Sequence, residues 1–163
     1  MVCRKKEKIF TLALAVTIIC LSFLDFDWER VGVSIYSGWI QRLSYSFIHA
    51  SFLHADLNAW CLLCIVFVYD VKWWHLLVTY IIATLVPPFA LSAMPTVGLS
   101  AVCFALLGLI NPQVLRKLYY NAHMALYLAI GFLFPLINGW IHLYSYVVGA
   151  FVGFAIHYLC RRK

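Results

Sequence analysis

Apolar residues run through this chain in blocks of about 13 to 23, broken only by short clusters of polar, charged or proline residues. Six blocks stand out: Ile9 to Leu24, Phe47 to Tyr69, Trp73 to Met94, Gly98 to Ile110, Ala122 to Ile137 and Trp140 to Cys160. None alternates with the two-residue period of a half-buried strand, so the pattern predicts helices that are apolar on most sides. Pro87-Pro88 is expected to kink or end the third block, and Pro95 precedes the fourth.

Composition sharpens this picture. With 65% hydrophobic and 11% charged residues in 163 positions, the chain carries more apolar surface than one soluble core of that size can bury. Lipid is the expected solvent, and a hydrocarbon layer of ~30 Å takes roughly 20 apolar residues per helix. The expected fold class is therefore an all-α membrane protein, a bundle of six transmembrane helices forming a single domain over 1–163. The basic stretch Met1 to Lys8 leads into an apolar run without a small-residue cleavage site, so that run is expected to be the first span rather than a cleaved leader.

Charge sets the expected orientation. With both termini cytoplasmic, Arg4, Lys5, Lys6, Lys8, Lys72, Arg116, Lys117, Arg161, Arg162 and Lys163 all fall inside, against Arg30 and Arg42 outside. The net charge of +6 thus reads as topology and not as a nucleic-acid surface. Residues 25–46 become an outer loop, acidic at first and then rich in aromatics (Trp28, Tyr36, Trp39, Tyr45), as suits a segment lying in the interface. The cysteines, including the Cys61-x-x-Cys64 pair, are expected to be packing residues. No metal or other cofactor is expected.

Polar side chains inside apolar blocks cost free energy and are therefore candidates for function. On the orientation above, the second, fourth and sixth blocks run from outside to inside, and His54, Asn58, Ser100 and His142 each fall within their first turns. His54 and Asn58 are four apart and share a helical face. His49 is five residues before His54, about 140° away on a helix, and is expected to point elsewhere and fasten the outer loop. Ser100 sits where first-turn amides lack intrahelical acceptors and would stabilise an anion. The plainer alternative for Ser100 is a bond to a carbonyl of the preceding turn. His142, Ser145, Gly149 and Gly153 form a stripe about 80° wide that can pack closely on Ala101, Ala105 and Gly108 of the fourth block. A lone histidine on such a face is often structural, but a serine opposite it changes that reading.

Taken together, these residues resemble the rhomboid family of intramembrane serine proteases. The stretch from His49 to Asn58 resembles its second-helix signature, Gly98-Leu99-Ser100 its nucleophile motif, and His142 with Ser145 and Gly149 its histidine helix. The resemblance implies that Ser100 attacks, that His142 is the general base, and that His54, Asn58 and Ser100 form the oxyanion hole. Supporting positions are His49, Gly98, Phe104, Ser145 and Gly149, with Phe104 where the family stacks an aromatic ring on the histidine. The chain departs from the pattern at Ala101, Ser145 and Tyr45, and Arg42 lies one residue out of register with the commoner tryptophan-arginine pair.

The expected partners are transmembrane protein substrates and the bilayer, in a bacterial cytoplasmic membrane with the active site facing the outer side. Of the six acidic residues none falls beside His142, and Asp56 lies about 200° from His54, so a Ser-His dyad is expected. A short connection from Pro135 to Gly139 would give the site a modest lid. Two rivals stay open: a catalytically inactive rhomboid-like protein that binds membrane proteins, and a haem or transport bundle using His49, His54, His142 and His157.

Overall fold

The structure is a computed structural model that describes residues 5–135 and 137–161. Cys3, Arg4, Leu136, Arg162 and Lys163, which enter the reading of charge, cysteines and lid above, lie outside the described residues. The regular structure described is helical, apart from one isolated antiparallel bridge between Val33 and Thr96. Eight α-helices follow in order: α1 (Lys5–Leu21), α2 (Trp28–Val31), α3 (Trp39–Ser44), α4 (Phe52–Val68), α5 (Trp73–Thr84), α6 (Ser100–Ile110), α7 (Lys117–Leu133) and α8 (Gly139–Arg161). The six long ones match the six apolar blocks, and the two short ones lie within the segment predicted as an outer loop.

Local chemistry explains where the helices start and stop, and where the predicted boundaries move. Ser51 caps α4 by accepting the His54 N–H at 3.2 Å, so that helix begins at Phe52 and not at Phe47. α5 ends at Thr84, ten residues short of the predicted Met94, because Pro87 and Pro88 cannot continue a helix. The Asn138 side-chain oxygen accepts the Ile141 N–H at 3.3 Å and so opens α8. At the other end, α1 takes in Lys5 to Lys8, which the sequence reading leaves as a basic tail.

α6 is the central helix. Eight of its eleven residues are buried: Ala101, Val102, Cys103, Ala105, Leu106, Gly108, Leu109 and Ile110. α5 and α8 flank it, α4 packs between it and α1, and α7 lies outermost against α8 with only Met124, Leu128 and Gly131 buried. At 1.5 Å per residue α6 is about 16 Å long, roughly half a hydrocarbon layer. By length and composition alone, α8 is the one helix among the described residues able to cross a membrane, over Gly139–Leu159. Large apolar side chains nevertheless project outward from every long helix except the central α6, among them Phe10, Trp60, Leu77, Leu126 and Phe151. Water does not tolerate so continuous an apolar exterior, whereas lipid does.

The closest packing is between α6 and α8, which run parallel. A Cβ added at Gly149 would fall on the Ala105 carbonyl, one at Gly153 on the Leu109 carbonyl, and one at Gly108 on the Tyr146 carbonyl. The stripe of small residues read from the sequence is therefore a backbone-to-backbone contact.

The outer segment is tied down at two places. Arg42 Nη1 donates to the Val86 carbonyl at 2.6 Å and the buried Tyr45 hydroxyl to the Ala83 carbonyl at 2.9 Å, satisfying carbonyls at and beyond the end of α5. Val33 and Thr96 exchange backbone hydrogen bonds at 2.8 and 2.9 Å, joining the same segment to the approach to α6. Arg42 thus serves as an anchor despite its shifted register.

Gly149→Val is expected to destabilise the protein by about 1–3 kcal/mol, since no flexible side chain can yield to the added carbons. Gly38→Ala, whose Cβ would meet only Gln41 Oε1 at 3.5 Å, is the control and should stay within about 0.5 kcal/mol. Reversible unfolding in mixed micelles measures both, and equal stability of the two variants would contradict the assigned packing.

Candidate active site

The turn that introduces α6 is built by three residues. Gly98 has φ 120°, a region that side chains with a Cβ rarely adopt, and a Cβ there would also come within 2.7 Å of the His54 ring. Its N–H donates to the Tyr45 carbonyl at 2.9 Å. The next amide, that of Leu99, donates to His49 Nε2 at 3.2 Å, and Leu99 itself is buried. Ser100 is then the first residue of the helix, and the first return bond of that turn runs from the Cys103 N–H to the Leu99 carbonyl at 3.0 Å.

From α8, His142 reaches Ser100. The His142 Nε2 and the Ser100 Oγ are 2.9 Å apart, so the serine hydroxyl has an imidazole partner and not a carbonyl of the preceding turn. The imidazole is buried, and the Phe104 ring, one turn along α6 from Ser100, stacks on it with centroids 4.5 Å apart and planes 20° from parallel. Its Nδ1 faces α7, where a Cβ on Gly131 would approach to 3.4 Å.

α4 supplies the other wall. His54 flanks Gly98, and buried Asn58 points its amide nitrogen to the same place, 3.6 Å from where a Gly98 Cβ would lie. One Asn58 N–H donates to the His54 carbonyl at 3.0 Å, and the amide carries a second. His49 departs from expectation. The helical wheel that turned it away from His54 does not apply, because α4 starts at Phe52; its ring meets that of His54 edge-on, with centroids 5.1 Å apart. It fastens the Gly98 to Ser100 turn, not the outer loop in general.

Ser145, one turn beyond His142, is wholly buried, and its hydroxyl has no hydrogen-bond partner among the described residues, so small size is what it contributes there. Asp56 is exposed on the opposite side of α4. His157 lies fifteen residues along α8 from His142, about 22 Å away, which separates it from the other three histidines of the haem reading. Among the described residues no cluster of three histidines, cysteines or acids is arranged to hold a metal ion. Sequence reasoning missed Gly131 beside the imidazole, for which α7 gives no polar signal, and Asn138, whose position just before an apolar run is a recognisable cap.

Residues 36–163 match the family model of the Rhomboid domain. The chain belongs to the rhomboid family. No curated protein and no solved structure matches it. Membership makes the chain an integral membrane protein of a family whose members are generally intramembrane serine proteases. The apolar exterior of the rhomboid helices described above is the surface that this setting requires.

Replacing His49 with Leu leaves the buried Leu99 amide of this rhomboid without its acceptor and is expected to lower stability by about 1–3 kcal/mol. Thermal unfolding in detergent, compared with Asp56→Asn on the exposed side of α4, measures the difference; a His49→Leu value no larger than the control would show that the bond holds nothing.

Proposed function

We propose that this rhomboid is an intramembrane serine endopeptidase that cleaves transmembrane segments of other membrane proteins with a Ser100–His142 dyad. The observation that carries the reading is the 2.9 Å approach of Oγ and Nε2. A serine hydroxyl is a weak nucleophile, and a neutral imidazole in that position takes its proton as Oγ bonds to the scissile carbonyl carbon. The carbonyl π electrons move to oxygen, giving a tetrahedral oxyanion. His142 then returns the proton to the leaving amine as the C–N bond breaks, leaving an acyl ester on Ser100. Water, deprotonated by the same imidazole, releases the new carboxylate and restores the serine.

The oxyanion needs donors already in place. The Ser100 N–H lies in the first turn of α6, without an intrahelical acceptor and at the positive end of the dipole, with His54 and the second Asn58 N–H as the side-chain donors. Phe104 supports the reading by fixing the plane of the imidazole. The short central helix also supports it, because a site at the start of an ~16 Å element can lie beneath the membrane surface and still be reached by water from one side.

The proposed topology has six spans in one domain, with both termini cytoplasmic and the site open to the outer face of a bacterial cytoplasmic membrane. It rests on the six long helices and on the placement of basic residues. A substrate helix would enter sideways and unwind at small or helix-breaking residues to present an extended peptide to Ser100.

Ser100→Ala and His142→Ala are each expected to abolish cleavage of a model transmembrane substrate while the protein stays folded, and Asn58→Ala to slow it by ~10²-fold. Labelling by a fluorophosphonate should occur at Ser100 and require His142. Cleavage that persists in either dyad variant rejects the assignment, and a folded wild-type protein that neither cleaves nor reacts returns the chain to the inactive members.

A further inference from the structure

The described cysteines differ in their surroundings. Cys20 and Cys64 are exposed, whereas Cys103 on α6 is buried and Cys61 on α4 is partly buried. Those last two meet. The Cys103 Sγ donates to the Asn58 carbonyl of α4 at 3.7 Å, and Cys61, about one turn beyond Asn58 on the same face, shares a hydrogen bond with the Cys103 thiol. Two thiols from distant parts of the chain thus face each other inside the bundle.

A disulfide needs its two Cα atoms within about 7 Å of each other. A cysteine side chain turns about a single Cα–Cβ bond, so a Cys103 sulfur in contact with the α4 main chain marks an approach of that order. The seam has few other ties. α4 packs more heavily on α1 than on α6, and the bonds of the Cys103 sulfur are the side-chain hydrogen bonds described between α4 and α6.

We infer that Cys61 and Cys103 are a thiol–disulfide pair, and that their oxidation fastens the α4 wall of the dyad to α6. The oxidant is a peroxide, small and uncharged enough to reach the partly buried Cys61. The Cys61 sulfur attacks one peroxide oxygen as the O–O bond breaks, and the leaving hydroxide takes the thiol proton and departs as water, giving a sulfenic acid. The Cys103 sulfur then attacks the sulfenic sulfur, the S–O bond breaks, and the departing hydroxide takes the Cys103 proton as a second water. Two thiols lose two electrons, and the peroxide gains them. A soluble dithiol reverses the bond by exchange. Asn58 lies about one turn before Cys61, and Ser100 about one turn before Cys103, so the bond forms one turn beneath residues proposed for the oxyanion. Formation of the disulfide does not depend on the protease reading; only its bearing on the oxyanion does.

The test treats the full chain in phosphatidylcholine nanodiscs with hydrogen peroxide, blocks the remaining thiols with N-ethylmaleimide and digests the denatured protein with trypsin. Cleavage after Arg42, Lys72 and Arg116 leaves Cys61 and Cys64 in residues 43–72, and Cys103 as the one cysteine of residues 73–116. Mass spectrometry is expected to find these two peptides joined by a disulfide, a pair retained in Cys64→Ser and lost in both Cys61→Ser and Cys103→Ala. The oxidised protein should also unfold roughly 5 °C or more above the reduced one, an increase that dithiothreitol reverses and Cys61→Ser lacks. A joined pair that survives in Cys61→Ser, one that appears only when the protein is unfolded before treatment, no joined pair from folded wild-type protein, or an unfolding curve that the joined pair leaves in place would each overturn the assignment.

Discussion

The approach of two helix backbones is the constraint on which the rest depends. In lipid no hydrophobic force drives apolar helices together, so α6 and α8 associate by van der Waals contact and shape. Gly149 and Gly153 set their Cα atoms against the carbonyls of Ala105 and Leu109, and Gly108 does the same against α8. These contacts repeat every four residues on both helices, which locks the parallel pair in one register. His142 lies seven residues before Gly149, and Ser100 five before Ala105, so the register that seats the glycines also brings imidazole to hydroxyl. A slip of one residue would move a side chain 1.5 Å along the axis and about 100° around it, enough to part them.

A register alone would still leave the first turn of α6 free to fray, and the outer segment prevents this. Tyr45 uses both ends: its carbonyl takes the Gly98 N–H while its hydroxyl reaches the Ala83 carbonyl. Arg42 adds the Val86 carbonyl, and His49 takes the Leu99 N–H. The close of α5 and the start of α6 are thus joined through a few buried polar contacts on a segment of otherwise aromatic character. The departure from the family pattern noted at Tyr45 is intelligible on these contacts, since the carbonyl bond needs no particular side chain and the phenol finds its own acceptor.

Much of this was legible beforehand, because the signals were local or periodic. Six apolar blocks give six long helices, the small-residue stripe on α8 gives its partner face, and a serine after glycine at the start of one block with a histidine in another gives a testable pair. What could not be read was set by tertiary contact or by caps. Ser51 starts α4 five residues late, which undoes the wheel argument about His49 and turns it toward His54. The prolines shorten α5 and release the chain that becomes the approach to Gly98. Gly131 has no polar neighbour in sequence to betray its place beside the imidazole, and the role of Arg42 depends on the Val86 carbonyl, more than forty residues away.

The proposed dyad has a physical rationale in its surroundings. In water-exposed proteases a carboxylate orients the histidine and steadies its charged form, but a third ionised group inside an apolar bundle would be costly to desolvate, several kcal/mol even after relaxation. Orientation here comes from neutral contacts: the stacked Phe104 ring, the small Gly131 beside Nδ1, and the hydroxyl at Nε2. An aromatic face also offers the imidazolium formed during the reaction a modest attraction without carrying charge itself. A ring that stacks on the neutral imidazole at rest, yet favours the cation when it forms, does part of the work of a carboxylate at little cost to the folded state. The arrangement suits a membrane because each of its parts is neutral until the proton moves.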